Sequence, residues 1–170
     1  QMGSLNTEAV QAMTVEQLGE LTEDQIRGLS STQIQKLSAE QLDGLYDYQL
    51  QAIDTGDIAA VNTEVLSLLS TSQIANLSTA QIGAISTAQM RALTAVQLNA
   101  LSEEQIASIQ TNDIAVLSTA QIRSLSDRVL STLGSAQVQA LSTTAVAAID
   151  IPQLAALNED QIKSMTSTQV

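Results

Sequence analysis

Residues 77–108 read LSTAQIGA (77–84), ISTAQMRA (85–92), LTAVQLNA (93–100) and LSEEQIAS (101–108). One eight-residue phrase stands four times in a row, and a fixed repeat period decides architecture before any single residue does. With its first letter as position one, the phrase extends outward in both directions. Position one falls on every eighth residue from Leu5 to Met165, and all 21 are apolar with no insertion or deletion between them. Position six is equally apolar, from Val10, Leu18 and Ile26 to Leu154, Ile162 and Val170. Position two is mostly Ser, Thr, Asn or Asp, position five is Gln in 15 of 21 octads, and position eight is usually Ala, Gly or Ser.

These positions spell a helix start. Ser86 has the chemistry of an N-cap, whose side-chain oxygen takes an otherwise orphaned backbone N–H. Gln89, three residues on, reaches back to the N–H of the cap to complete a capping box, while Ile85 and Met90 flank it as a hydrophobic staple. Charge placement supports the same register. Twelve of the 18 acidic residues occupy positions three and four, such as Glu23, Asp24, Glu103, Glu104, Glu159 and Asp160. Four of the six basic residues, Arg27, Arg91, Arg123 and Lys163, occupy position seven, with Lys36 at eight. Acid early and base late complements the helix dipole. The only proline, Pro152, sits at position four, inside the first turn, where its missing N–H costs little.

Two other architectures fit the pattern less well. In one continuous helix, eight residues at about 100° each rotate the apolar stripe by about 80° per octad, so leucines would face every direction. A two-stranded coiled coil needs a seven-residue period. In a β-solenoid, positions one and six have opposite parity and would lie on opposite faces. The expected fold is therefore all-α: an α-solenoid of short capped helices, one per eight-residue repeat. A six-residue helix spans roughly 9 Å and melts alone, because nucleation is costly. Stacking must hold it, with positions one and six inward, a small residue at eight for close backbone approach, and each unit touching only near neighbours.

Residues 1–4, QMGS, lie outside the phrase and read as a cloning remnant, to be excluded from the fold. Residues 5–170 form the solenoid of 20 full octads and a partial one. Neither end carries a polar capping octad, so a piece of a longer array is expected. The octads IDTGDIAA (53–60) and VNTEVLSL (61–68) drift furthest, with Asp57 and Val65 in place of Gln; IQTNDIAV (109–116) echoes the former. Leu68 and Val116 bring bulk to position eight, where core variation is expected.

The chemistry is sparse. The chain has no His, Cys, Trp or Phe, which removes the commonest general base, zinc ligands and thiol nucleophile. Its serines are caps with no His to activate them. No enzyme and no cofactor are expected, and no catalytic, cofactor or metal residue stands out. The pairs Glu23–Asp24, Glu103–Glu104 and Glu159–Asp160 are carboxylates of the kind that bind calcium, but a site needs six to eight oxygens and the dipole explains them. A net charge of −12 without a basic cluster argues against nucleic acid and anionic membranes. No run approaches a membrane span, so no insertion is expected. Tyr46 and Tyr48, both in octad 45–52, are the one candidate contact patch.

The phrase LSTAQI, with variants such as IDTGDIAA, resembles octapeptide arrays in very large bacterial proteins of haem-utilisation or adhesion-like type, which look like secreted or surface proteins. The resemblance covers nearly all of residues 5–170. A sparser LTxxQ motif marks periplasmic chaperones of the Spy type, where the similarity amounts to a shared capping box. The resemblance implies an extracellular or cell-surface location and a structural role: a spacer or stalk whose partners are flanking repeats of the parent protein. The alternative is a solenoid module that binds a protein or glycan surface.

Overall fold

The structure, a computed structural model, describes residues 2–170. Twenty α-helices follow a 3-10 turn at Met2–Ser4, from Thr7–Gln11 to Glu159–Ser164, with no strand among the described residues. There is one helix per octad and each begins at position three, as the capping pattern predicts. The helices are four to six residues long, as in Thr111–Ile114 and Glu103–Ser108. The partial octad 165–170 forms only a turn.

Octad 101–108 shows how so short a helix satisfies its backbone. Leu101 (φ −64°, ψ 142°) and Ser102 (φ −70°, ψ 167°) form an extended two-residue corner. This is polyproline-like geometry open to any L-residue, and no described residue in the chain has positive φ. The corner therefore needs no glycine. The N–H of Leu101 donates to the Leu98 carbonyl, and the N–H of Ile106 donates to the Ser102 carbonyl at 2.9 Å. The Gln105 N–H donates to Ser102 Oγ at 3.2 Å, and the Ser102 N–H donates to Gln105 Oε1 at 2.8 Å, which closes the box. Ser102 Oγ also donates to Glu104 Oε2. The Glu104 carboxyl is held below its ordinary pKa, first by its own backbone N–H and then by this hydroxyl.

Each helix lies against those three octads away. Glu103–Ser108 packs on Thr79–Gly83 and on Asp127–Thr132, and the same step recurs along the chain. Hydrogen bonds between turns span 25 to 31 residues, as in Gln51 to Asn76 and Gln105 to Ile74. Since 24 residues are three octads and 32 are four, one superhelical turn holds between three and four octads. The neighbours that stabilise a helix are thus not the adjacent octads in sequence but those one turn away. Positions one and six from consecutive turns make one continuous core, including Leu50, Ile74, Met90, Ile106 and Leu130, each contributing roughly 1.5–3 kcal/mol by burial.

Close approach at position eight occurs between turns. A Cβ on Gly44 would lie 2.1 Å from Val15 Cγ1, one turn earlier. Leu68 corrects the expectation of core at position eight, for it is 64% exposed. Position eight lies about 200° round the helix from position six. A short side chain such as Ala52 is still covered there, whereas a leucine protrudes past its neighbours. Val116 is half-buried against the core. Residues 2–4, expected outside the fold, take part in it: Met2 packs on the core and its carbonyl accepts from Gln33.

Candidate functional site

The most regular feature of the molecule is a ladder built on the position-five glutamines. Twelve of them, including Gln49, Gln81, Gln89 and Gln161, are buried. A buried primary amide must satisfy two donors and an acceptor, and here each part has a set task. Oε1 accepts the cap N–H of its own octad. Nε2 donates to backbone carbonyls one superhelical turn earlier. Gln49 Nε2 reaches Leu18 O at 2.9 Å, Gly19 O at 3.2 Å and Leu21 O at 2.7 Å. Gln89 Nε2 reaches Ile58 O and Val61 O, both at 2.8 Å. These carbonyls belong to helix C-termini and corners; those of Leu18 and Ile58 also accept the N–H of Leu21 and Val61, so the glutamine takes their second lone pair. One side chain therefore caps the start of its own helix and the end of the helix 28 to 31 residues before. The capping box was legible in the sequence, but the second arm was missed. A signal for it existed: a box accepts Glu as readily as Gln at this place, yet position five is never Glu in this chain.

In some octads that lack the glutamine, neighbours take over part of its tasks. In octad 125–132, Val129 occupies position five. Asn99 Oδ1 accepts the Ser126 N–H at 2.8 Å, and the Arg128 guanidinium donates to Asn99 O at 2.7 Å and Leu101 O at 2.9 Å. Arg128 is the one basic residue in a first helical turn, against the helix dipole; its grip on these carbonyls is the reason. In octad 109–116, Gln110 Nε2 donates to Gly83 O at 2.6 Å, while Asp113 at position five is buried. Burial pushes the Asp113 carboxyl above its ordinary pKa. Asp57 accepts from Ser31 Oγ one turn away.

Tyr46 and Tyr48, the predicted contact patch, come together. Their rings stack at 5.7 Å between centroids and 11° between planes, and they are 60% and 47% exposed. Tyr46 stands at the cap position without a capping side-chain bond, so only the Gln49 arm remains, at 2.9 Å from the Tyr46 N–H. Its ring lies over Gly19, whose absent Cβ would sit 3.5 Å from Tyr46 Cε2. The carboxylate pairs stay apart in their separate first turns. Asp24 pairs with Arg27 and Glu159 with Lys163, both exposed and individually worth little. No group of three or more metal-ligating side chains converges among the described residues, and no helix is long and apolar enough to cross a membrane.

A coil of short capped helices, stapled turn to turn, defines a tandem-repeat helical solenoid. Residues 50–86, 82–109 and 106–143 match the model of the ALTTAQ repeat. The matches run unbroken over 50–143, more than half of the 170 residues, and the chain belongs to that family. No curated protein matches it.

Proposed function

We propose that this chain is a spacer or stalk segment of a large bacterial secreted or cell-surface protein. The observation that carries this reading is the ladder: 13 of the 15 position-five glutamines tie their octad to the turn before, from Gln33 to Gln169. Repetition of one interface adds length without adding a new kind of surface, which is the requirement for a spacer. The buried chemistry of the octad is spent on this join, and the outward positions carry mainly scattered Ser, Thr, Ala and acids. The secreted and bacterial setting rests on the resemblance to octapeptide arrays, and the proposed partners are flanking repeats. The net charge of −12 opposes nucleic acid as a partner.

Small-angle scattering on arrays of about ten, twenty and thirty octads tests the reading. The maximum dimension should rise in proportion to octad number at constant cross-section; a plateau overturns it. The stacked Tyr46–Tyr48 pair favours a second reading, a module that binds a protein or glycan surface. A glycan or protein array giving one strong hit, abolished by Tyr46→Ser with Tyr48→Ser, would replace the spacer by the binder.

A further inference from the structure

Two carboxylates have no task in the fold. Of the six acidic residues outside positions three and four, Asp54 and Asp150 stand at N-caps, and Asp57 and Asp113 stand in the glutamine position. The other two are Glu20 and Asp43, at the C-terminal ends of the helices Val15–Gly19 and Ala39–Asp43, where the helix dipole opposes a negative charge. Both are exposed, and neither pairs with a cation among the described residues. Both also lie beside the tyrosine pair. Glu20 follows Gly19, over which the Tyr46 ring lies. Asp43 lines a groove of about 660 Å³ between two turns, together with Glu16, Lys36, Glu40 and Gly44. This groove belongs to the join between turns rather than to its place in the chain. It recurs twelve octads on, where Ala107, Thr132 and Ala136 stand at the places of Gln11, Lys36 and Glu40, and no residue lining it there is charged. Tyr46 and Tyr48 occupy positions two and four, those of the lining residues Ser38 and Glu40 one octad earlier, so the pair continues the groove wall. The surroundings are acidic as a whole: residues 5–68 hold 11 of the 18 acidic residues and two of the six basic ones.

We propose that this face docks a basic segment of a partner protein, an extended stretch carrying several Arg or Lys side chains. The inference rests on the binding reading of the tyrosine pair and names its partner. Cations are drawn to the negative face of an aromatic ring, and about half of each tyrosine is open to solvent. A guanidinium stacks on such a ring while its N–H groups donate to a carboxylate, and Glu20 and Asp43 hold no other cation. A positive charge bound there also relieves the unfavourable contact of each carboxylate with its own helix dipole. In the groove, Glu16, Glu40 and Asp43 outnumber the one cation, Lys36, so a basic chain leaving the tyrosines continues along matching charge. A neutral glycan would use the rings alone and leave these carboxylates as they are.

Fluorescence anisotropy of a labelled peptide of alternating Arg and Gly tests it, beside the same peptide with Gln in place of Arg. The intact chain should bind the Arg peptide and not the Gln peptide, and more weakly as salt rises. Tyr46→Ser with Tyr48→Ser keeps the charge and removes the rings, whereas Glu20→Gln with Asp43→Asn keeps the rings and removes the charge. Each pair should weaken binding about tenfold with helical circular dichroism unchanged. Glu103→Gln with Glu104→Gln removes the same charge from a distant turn and should leave the affinity within about twofold. No binding of the Arg peptide, equal binding of the Gln peptide, or an equal loss from the Glu103–Glu104 and Glu20–Asp43 pairs overturns the proposal. A tyrosine-dependent glycan hit without binding of the Arg peptide overturns the basic partner and keeps the binding reading. Absence of both removes that reading as well.

Discussion

Gln137 Nε2 lies 2.8 Å from the carbonyl oxygens of both Ile106 and Ile109, and all three residues are buried. The same glutamine takes the Gly134 N–H on Oε1 at 2.9 Å. Gly134 has no side chain to cap with, yet its helix, Ser135–Ala140, keeps its full six residues. At this octad the glutamine holds the helix start without any help from a Ser or Thr cap.

Glutamate separates the two arms. Gln105→Glu keeps an oxygen for the Ser102 N–H but loses the donor to Ile74, Ala75 and Leu77. The Ile74 carbonyl keeps the Leu77 N–H, but leaving the buried Leu77 carbonyl unpaired costs about 1–3 kcal/mol, and a carboxylate pointed at carbonyl oxygens adds to that. Urea unfolding should show a loss of about 2–4 kcal/mol for Gln105→Glu, comparable to Gln105→Ala. Gln25→Glu, at an exposed position, should stay within about 0.5 kcal/mol of the parent. Equal stability of Gln105→Glu and the parent would remove the second arm from the account.

Asp113 makes stability depend on pH. Burial raises its carboxyl pKa in the fold, so as pH rises the unfolded chain gives up this proton first. The native state then holds more protons, and stability falls across the window between the unfolded and folded values. Below the ordinary aspartate value of about 3.9 both states are protonated and the penalty is absent. Above the folded value it is complete. Asp113→Asn should therefore stabilise the chain at neutral pH, with the advantage shrinking toward zero in acid. Thermal melts of the pair across that range check the sign, and an advantage that grows on acidification contradicts it.

The sequence made the local structure legible and left the long-range structure obscure, for a physical reason. The corner at Leu101–Ser102, the cap, the first-turn acids and the inward positions are set by interactions within one octad. Eight residues suffice to read those. Which octads become neighbours depends on the rotation added at every corner, and small changes in φ and ψ accumulate along the coil. The packing of Glu103–Ser108 on helices three octads away is such a sum. Leu68 was misplaced because position eight was read from its usual small residues, which fit in covered and open places alike. The tyrosine stack was legible as two aromatics two residues apart, but not as a pair whose Tyr46 ring sits over Gly19.

Arg128 and Val129 test whether the ladder is a requirement or a habit. Arg128→Ala should destabilise by about 1–3 kcal/mol, because the carbonyls of Asn99 and Leu101 lose their donor. Adding Val129→Gln should restore part of that loss, since a glutamine there reaches the Leu101 carbonyl by the 28-residue step seen at Gln137. In the parent background Val129→Gln should gain little, because Arg128 already holds the place. The coupling between the two substitutions is the measured quantity; additivity would show that Arg128 and a glutamine do different work.

Glycines supply the last test, one of the spacing between turns. Gly56 lies within the helix Thr55–Ile58, and a Cβ there meets nothing within 4 Å. Gly56→Ala removes unfolded-chain entropy without strain and should stabilise by about 0.4–1 kcal/mol. Gly44 is the opposite case: its Cβ would lie 2.1 Å from Val15 Cγ1 and 3.3 Å from the carbonyl of Glu40. Val15 is a short β-branched side chain on the turn before, with one stiff torsion and little freedom to swing clear. Gly44→Ala must therefore push the two turns apart, at a cost of about 1–3 kcal/mol. Val15→Ala removes the obstructing methyl groups. The double variant Gly44→Ala with Val15→Ala should recover most of the loss in urea midpoint, and Val15→Ala alone should change little, because Val15 is only half-buried. If Gly44→Ala instead melts like the parent, the turns at that point are further apart than the Val15–Gly44 contact requires.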